Sequence, residues 1–401
     1  MNPDLNKLHA YPFEKLMEIK QDVQPADKPA IALSIGEPKH APPDFVLKAL
    51  TDNVQEMARY PLTKGTDKLR EHIQHWLTQR FHLPSNTLLK DAHIIPVNGT
   101  REALFAIAQA VIDRTASCPQ ILMPNPFYQI YEGAAFLAGA EPVYMNCAEA
   151  TGWLPDIDSI SPQTWKNCQL IYTCSPGNPS GAVMDEASLQ KLIELALKYD
   201  FIIAADECYS EIYSPKHQPP IGLLEVATKM GLDDFSHCLV FHSLSKRSNL
   251  AGLRSGFVAG DRAIIQKFLR YRTYQGCAMS LPIQHASGLA WADEQHVIDN
   301  RQRYQQKFDA VLDILDPVLN VKRPEAGFYL WAGVSETGMT DVEFAKELFR
   351  QQNVTVLPGS FLSRHTPEGN PGDNRLRMAL VASVDECIDA AHRIKQFIQS
   401  S

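Results

Sequence analysis

The chain has 401 residues, of which 45% are hydrophobic and 21% charged, and its formal net charge is −8. That length suggests two domains, or one large domain with an elaborated partner, and that composition is typical of a soluble globular enzyme. The acidic balance argues against a nucleic-acid partner, and no apolar run approaches the roughly 18 residues that span a bilayer. Because residues 1–7 lack a basic start followed by an apolar run, we expect no signal peptide and a cytoplasmic protein.

Helix and strand signals alternate through the middle of the chain. Apolar residues at helical spacing predict helices over 100–113, 128–138 and 187–199. Short apolar runs predict buried strands over 121–123, 169–173, 201–205 and 238–242. Buried strands separated by helices indicate a mainly parallel sheet covered on both faces.

The pattern changes after Leu281. A charged helix over 294–316 is followed by strand-like runs over 327–331 and 354–357 and by a closing helix over 384–398. This order predicts a smaller α/β domain. We therefore expect a large domain over 45–285, and a small domain formed by 286–401 together with an N-terminal arm over 1–44.

The cysteines and histidines show no ligand spacing. The eight cysteines are scattered without a Cys-x-x-Cys pair, and no His-Glu-x-x-His pattern occurs. These patterns argue against a disulfide framework or a zinc site, so we predict reduced thiols and no metal.

Polar residues gather where the predicted strands end, which is where ligands bind in open α/β sheets. Asn98, Gly99, Thr100 and Arg101 connect a strand to a helix start whose free N–H groups suit a phosphate, although a plain helix cap gives the same pattern. Asp206 ends another strand, where a buried carboxylate needs a pyridinium ring, a salt bridge or a helix cap as its partner.

Two further strand ends complete the set. Ser243 and Ser245 come just before Lys246, and Arg254 follows, which predicts a dianion cradle beside an amine that can form an imine. A solvated lysine is the alternative. The proline- and glycine-rich segment 174–181 is a turn that can also direct the Asn178 amide at a ring hydroxyl.

Four of these motifs occur in an order that resembles the class I/II aminotransferases. They are Asn-Gly-Thr at 98–100, Ser-Pro-x-Asn-Pro-x-Gly at 175–181, Asp-Glu-x-Tyr at 206–209 and Ser-x-Ser-Lys at 243–246, with Arg254 eight residues after the lysine. The resemblance runs from Gly36 to Arg377. It implies a homodimer that binds pyridoxal 5′-phosphate (PLP) and the aspartate aminotransferase-like fold, with a mainly parallel seven-stranded sheet in the large domain and a smaller α/β domain.

The resemblance also implies roles in binding the cofactor. Lys246 matches the Schiff-base lysine and proton shuttle, and Asp206 matches the partner of the pyridine nitrogen. Asn178 and Tyr209 match the residues that bond the ring hydroxyl, and Tyr128 matches the stacked aromatic. The other cofactor contacts implied are Gly99, Thr100, Arg101, Ser243, Ser245 and Arg254, together with Tyr60 reaching the phosphate of the other subunit's cofactor.

For the amino-acid substrate, the resemblance implies a carboxylate clamp. Arg377 matches the arginine that grips the α-carboxylate, and Asn178 and Gly36 match further contacts to the substrate. Arg375 is a nearby alternative to Arg377. A bidentate guanidinium suits a carboxylate better than an ammonium does.

A narrower resemblance suggests the substrate. The stretches 11–16, 245–254, 272–279 and 357–362 are similar to the proteobacterial N-succinyldiaminopimelate aminotransferases of lysine biosynthesis. The implied reaction transfers an amino group from glutamate to N-succinyl-2-amino-6-oxopimelate, giving N-succinyl-LL-2,6-diaminopimelate and 2-oxoglutarate. Lys64, Arg272 and Arg364 are candidate contacts for its further carboxylates by composition alone, and a surface charge is the favoured interpretation of each.

Other proteins share the same cofactor residues. The alternatives are an acetylornithine-type, aspartate or aromatic aminotransferase, a PLP-dependent C–S lyase or synthase, and a transcription regulator of this fold. A regulator needs an added DNA-binding domain, for which the segment before Gly36 is too short.

Overall fold

A computed structural model describes residues 1–400. In chain order its strands are β1 Ile31–Ala32, β2 Ile94–Val97, β3 Gln120–Asn125, β4 Glu141–Asn146, β5 Cys168–Cys174, β6 Ile202–Asp206, β7 Cys238–Ser243, β8 Gly256–Gly260, β9 Tyr329–Gly333, β10 Val354–Thr355, β11 Leu357–Pro358 and β12 Arg375–Ala379. Its helices are α1 Pro12–Lys20, α2 Asp44–Asp52, α3 Asp67–Arg80, α4 Lys90–His93, α5 Thr100–Val111, α6 Ile130–Ala138, α7 Pro162–Asn167, α8 Glu186–Tyr199, α9 Leu223–Lys229, α10 Leu244–Arg247, α11 Arg262–Gln275, α12 Leu281–Ala292, α13 Gln295–Leu315, α14 Asp341–Gln352 and α15 Val384–Ser400. Short 3₁₀ helices lie at Pro3–Lys7, Val54–Ala58, Glu149–Thr151, Ile157–Ser159, Ala251–Leu253, Ser335–Thr337 and Gly359–Phe361.

The main sheet has seven strands in the order β2-β8-β7-β6-β5-β3-β4. All neighbours are parallel except β8, which runs antiparallel to both β2 and β7. Alternate strand residues pack into two separate cores, because successive side chains point to opposite faces. Ile171 and Ile203, for example, lie in one core, and Leu170 and Ala204 lie in the other. The predicted fold, a mainly parallel seven-stranded sheet with helices on both faces, is confirmed.

A second, smaller core forms around β9, β11 and β12. These strands make an antiparallel sheet, and β1 pairs with β10 beside it. Helices α13, α14 and α15 cover them through side chains such as Phe308, Phe344 and Phe397. The start of α14 is fixed by its own sequence, because Thr340 and Glu343 form a capping box there.

The division between the domains stays a proposal. The boundary predicted at 285 falls inside α12, whose Ala286, Ala290 and Trp291 belong to the core of the large sheet. The next helix, α13, instead buries Phe308 and Val311 in the small core. We therefore propose that the large domain extends to the end of α12.

Two details differ from the sequence expectations. The run 121–123, taken to end before Pro124, continues through that proline to Asn125, because β3 pairs with β4 over its whole length. The run 354–357 divides into β10 and β11, which pair with different strands. Across residues 1–400, every cysteine is free, no cluster of potential metal ligands occurs, and no helix has the length and hydrophobicity needed to cross a bilayer.

Candidate active site

A cavity of about 490 Å³ lies at the carboxyl ends of β5, β6 and β7 and at the start of α5. Parallel strands bring their final residues to this one edge of the sheet. Of the fourteen predicted site residues, all but Gly99 and Tyr60 line the cavity. The lining includes Gly36, Thr100, Arg101, Tyr128, Asn178, Asp206, Tyr209, Ser243, Ser245, Lys246, Arg254 and Arg377.

Lys246 lies on α10, directly after β7. Its ammonium donates a hydrogen bond to the Gly36 carbonyl and lies 5.6 Å from the centre of the Phe328 ring. Burial, with a smaller contribution from the charge of Arg377, lowers the pKa of Lys246 to about 8. The amine is therefore closer to its neutral, nucleophilic form at neutral pH than a solvated lysine is.

Asp206 ends β6 and is buried, with 5% of its surface exposed. One carboxylate oxygen accepts a hydrogen bond from the Tyr131 hydroxyl at 2.8 Å, and the other accepts from the Cys208 N–H at 3.3 Å. Burial raises the pKa of Asp206. The salt-bridge alternative does not hold, because within residues 1–400 no cation pairs with this carboxylate. It faces the cavity and is suited to a cationic ring nitrogen.

The start of α5, beside the cavity, has the features expected of an anion site. Gly99 takes the N-cap position of α5 with φ +84°, and no side chain caps that helix, so the helix-cap alternative for Asn98 or Thr100 is wrong. A Cβ on Gly99 would lie 2.1 Å from Arg254 Nη2. Glycine thus allows the guanidinium to approach free N–H groups at a helix start.

Two serines face the same end of the cavity. Ser243 Oγ donates to Ser245 Oγ at 2.9 Å and accepts from the Ser245 N–H at 3.1 Å. Arg254 has left-handed backbone angles, φ +55° and ψ +54°, which are uncommon outside glycine and often mark functional positions.

Arg377, the predicted carboxylate clamp, lies on β12. Arg377 donates to the Asn178 side-chain oxygen at 3.0 Å and to the Ser34 carbonyl at 2.8 Å. Its Nε–H is buried without a partner. Arg375 points elsewhere, donating to Glu149 at 3.0 Å and packing 4.5 Å from the Trp153 ring centre. The geometry therefore favours Arg377 over Arg375.

Tyrosines close the remaining sides of the cavity. The hydroxyls of Tyr209 and Tyr329 lie 3.0 Å apart, and burial raises the pKa of both. Tyr128 accepts a hydrogen bond from Arg101 Nε. Tyr11, at the start of α1, also lines the cavity, and its hydroxyl is buried without a partner.

The other predicted residues lie outside the cavity. Tyr60 is fully exposed, so its predicted role in a second subunit stays a prediction. Lys64 is exposed, as expected. Arg272 is buried against Glu102 at 2.7 Å, and Arg364 holds Glu132 with two hydrogen bonds. The interpretation of these two arginines as surface charges is wrong, because each neutralises a carboxylate within the fold.

Sequence reasoning missed several residues of the site. Tyr131 and Tyr329 were not singled out, although each bonds a predicted site residue. Tyr131 is only three residues after Tyr128, but nothing in the sequence pairs it with Asp206, 75 positions away. Tyr11 appeared only within a stretch quoted for its resemblance.

Comparison with known proteins identifies the family. The model for aminotransferase class I and II matches residues 28–394. The chain belongs to this family. An aminotransferase of Neisseria meningitidis has a structure similar over 98% of this chain and 99% of its own, with a TM-score of 0.93 and 48% identity. The aminotransferase AspB of Helicobacter pylori is 32% identical, with a TM-score of 0.89 over 98% of this chain and 100% of its own.

One relative found by sequence similarity has a name that states its substrate. The LL-diaminopimelate aminotransferase of Maridesulfovibrio salexigens is 27% identical over 396 residues, which cover 98% of this chain and 97% of that protein. Class I and II aminotransferases depend on PLP. The cavity fits that cofactor, because its lining combines a buried carboxylate, a lysine of lowered pKa, and the hydroxyls and guanidinium of Ser243, Ser245 and Arg254 near a helix start.

Proposed function

We propose that this enzyme transfers the amino group of glutamate to N-succinyl-2-amino-6-oxopimelate, giving N-succinyl-LL-2,6-diaminopimelate and 2-oxoglutarate. The observation that carries the aminotransferase chemistry is the meeting of Lys246, Asp206 and the Asn178–Arg377 pair around one cavity. In this proposal the enzyme is a succinyldiaminopimelate transaminase of lysine biosynthesis that works in the cytoplasm as a homodimer.

The proposed cofactor contacts follow the geometry of the cavity. Lys246 would hold the PLP aldehyde carbon, Asp206 its ring nitrogen, and Asn178 and Tyr209 its ring hydroxyl, while Tyr128 would stack on the ring. The phosphate would lie against Gly99, Thr100, Ser243, Ser245 and Arg254. Bound there, PLP supplies an aldehyde that takes up the amino group and a protonated ring that draws electrons from the substrate Cα.

The side chains of this chain would do the remaining work. Arg377 would orient the substrate through its α-carboxylate, supported by the Asn178 oxygen at 3.0 Å. The Lys246 amine, once free of the cofactor, would carry the proton to and from the substrate Cα, since a pKa of about 8 suits a base near neutral pH. Asp206 would keep the ring nitrogen protonated by its negative charge.

The choice of substrate rests on where the narrower resemblance lies. Tyr11, Pro12 and Phe13 come from the similar stretch 11–16 and line the cavity, and Leu362 comes from the similar stretch 357–362. The substrate's distal group would extend toward this side. Residues that contact a distal group are the ones that discriminate between aminotransferase substrates, because the cofactor contacts are shared.

The resemblance implies that Arg101 contacts the cofactor, but in the structure its Nε bonds the Tyr128 hydroxyl. Lys246, Arg254 and Arg377 already supply the proposed imine, phosphate and α-carboxylate contacts, which leaves the Arg101 guanidinium for another group. The nearby Tyr11 hydroxyl is buried and unpartnered. We propose that Arg101 and Tyr11 bind a distal carboxylate, for which a guanidinium and a hydroxyl are suitable donors.

A second candidate is LL-diaminopimelate as the amino donor, without a succinyl group. It is favoured by the names of relatives such as the Maridesulfovibrio enzyme. The same cavity would then hold a free amino group where the succinyl group is proposed to lie. The two candidate substrates differ in whether the distal amino group carries a succinyl group, and both can be tested in one experiment.

A panel of half-reactions tests the proposal. The purified PLP enzyme is mixed with glutamate, N-succinyl-LL-diaminopimelate, LL-diaminopimelate, N-acetylornithine, aspartate or phenylalanine, and the cofactor spectrum is followed. We expect rapid conversion with glutamate and with the succinylated compound. Conversion by glutamate and LL-diaminopimelate, with none by the succinylated compound, would overturn the substrate assignment. Release of pyruvate from a β-substituted substrate would instead indicate a lyase.

A further inference from the structure

Lys307 is a buried lysine without an acidic partner. It lies on α13, and only 1% of its surface is exposed. Among the ion pairs of residues 1–400 none includes Lys307, and its ammonium instead lies 2.7 Å from His40 Nε2. Burying the charged form of a lysine in this way is unfavourable, and this desolvation lowers the pKa of Lys307 to about 8. Because a buried, unpaired lysine does not stabilise the fold, we expect a functional role for Lys307.

Hydrogen bonds connect this lysine to the segment that carries Lys246. His40 Nδ1 lies 2.7 Å from the side-chain oxygen of Asn300. The Asn300 amide nitrogen donates to the carbonyls of Lys246 at 3.4 Å and Arg247 at 3.5 Å. A neutral His40 with its proton on Nδ1 satisfies both neighbours, and burial lowers the pKa of His40 to about 4, which favours that form.

One face of α13 contacts the Lys246 segment in two ways. Asn300, Tyr304 and Lys307 are spaced i, i+4 and i+7, so they share a helix face. The Tyr304 ring lies 4.9 Å from the His40 ring and stacks 5.4 Å from Phe328. Phe328 in turn lies 5.6 Å from Lys246 Nζ. Helix α13 therefore contacts the Lys246 backbone directly through Asn300, and it reaches the Lys246 amine through Tyr304 and Phe328.

Other charged groups around Lys307 only partly balance one another. Glu386 and Cys387 at the start of α15 favour its charged form, whereas Arg303 on α13 and Lys39 before His40 oppose it. No carboxylate among these groups forms an ion pair with Lys307 within the described residues. The bond to His40 is therefore the direct contact through which the ammonium acts.

We propose that Lys307 and His40 are positioning residues, which act through Asn300 to fix the carbonyl end of the Lys246 helix against the Gly36 segment. His40 lies four residues after Gly36, whose carbonyl accepts the Lys246 hydrogen bond. The Lys307 ammonium polarises the His40–Asn300 chain, and the Asn300 amide at its end donates to the last carbonyls of the helix. This inference rests on the proposed role of Lys246.

The Lys307→Met variant tests the inference. We expect kcat to fall about 10- to 100-fold through misplacement of Lys246, with KM for glutamate unchanged because Arg377 is untouched. The pH midpoint of the visible absorption of the bound cofactor should shift. The melting temperature should stay the same or rise, since an apolar side chain replaces a buried charge. Lys346→Met, at an exposed lysine of α14, is the matched control.

A second variant keeps the test independent of Lys307. His40→Phe retains a ring against Tyr304 but removes both hydrogen bonds, and we expect the same fall in kcat and the same spectral shift. Parent-like kcat and absorption in the folded variants would overturn the inference, as would a fall in melting temperature without a change in kcat. Borohydride fixation of PLP on Lys246 in the parent protein is measured alongside. Its failure would count against the proposed function, separately from the positioning role.

Discussion

Asp206 depends on a hydroxyl that lies outside the cavity lining. Tyr131 is fully buried, donates to Asp206 at 2.8 Å and stacks on Tyr172 with ring centres 4.5 Å apart. That bond favours the charged carboxylate, which is the form that would hold a protonated ring nitrogen.

We predict that Tyr131→Phe lowers kcat about 10- to 20-fold, because a buried hydrogen bond to a charged group contributes about 1.5 kcal/mol or slightly more. Tyr172→Phe is the matched control. Its hydroxyl donates to the Leu104 carbonyl at 2.6 Å and does not touch Asp206. Urea unfolding and steady-state kinetics of both variants separate the effects. A similar loss of kcat in both variants would mean that Tyr131 acts only through packing.

The proposed role of Arg101 leads to a prediction about which substrates the enzyme prefers. If it binds a distal carboxylate, Arg101→Met should raise KM for the succinylated substrate about tenfold, as expected for one lost charge-assisted hydrogen bond. KM for alanine, which has no distal carboxylate, should change little. Arg101→Lys should recover part of the loss. Equal effects on both substrates would indicate that Arg101 acts on the cofactor instead.

At the scale of elements, the start of α5 depends on Gly99. Alanine there would be strained at φ +84° and would push against Arg254 Nη2 at 2.1 Å. We predict that Gly99→Ala weakens PLP binding about tenfold, because displacing Arg254 removes a charge-assisted contact. Gly139→Ala is the control. Gly139 has φ +79° but its nearest neighbour, Arg114, is 3.8 Å away, so the variant should lose stability and keep PLP affinity. Unchanged PLP affinity in Gly99→Ala would contradict the proposed phosphate site.

The sequence predicts elements well where one pattern is sufficient. The helix expected over 187–199 is observed as α8, because its apolar spacing and the Asp185 cap agree. Strand β8 was not predicted, since Gly256 and Gly260 bound only three apolar residues and its antiparallel pairing comes from tertiary packing. The site residues at strand ends were predicted because each follows a local pattern, an apolar run that ends in a polar residue. Their partners Tyr131, Tyr329 and Asn300 were not, because each contact joins residues far apart in sequence.

At the scale of the whole molecule, large apolar side chains remain exposed. Met57, Tyr60, Leu62 and Tyr274 each expose 65% or more of their surface. We propose that these side chains contribute to the homodimer interface, since aromatic residues and methionine are enriched there. Tyr60 would then lie near the partner's cofactor.

The dimer leads to a prediction for Tyr60. We expect light scattering to give twice the chain mass for the parent protein. Tyr60→Phe should keep that mass but weaken PLP binding about fivefold, since one hydroxyl contact to the phosphate is lost. Tyr274→Phe, at another exposed tyrosine, should change neither quantity. A parent monomer that binds PLP tightly would contradict the shared site.

The central claim is that Lys246 holds PLP. Borohydride reduction of the PLP enzyme followed by peptide mass spectrometry tests it most directly, because the reduced cofactor stays on the lysine that bound it. Lys246 and Lys307 both have a pKa lowered to about 8, chiefly by desolvation, so pKa alone does not distinguish them. We predict that the label is on Lys246 and absent from Lys307. A label on Lys307, or on neither, would contradict the account.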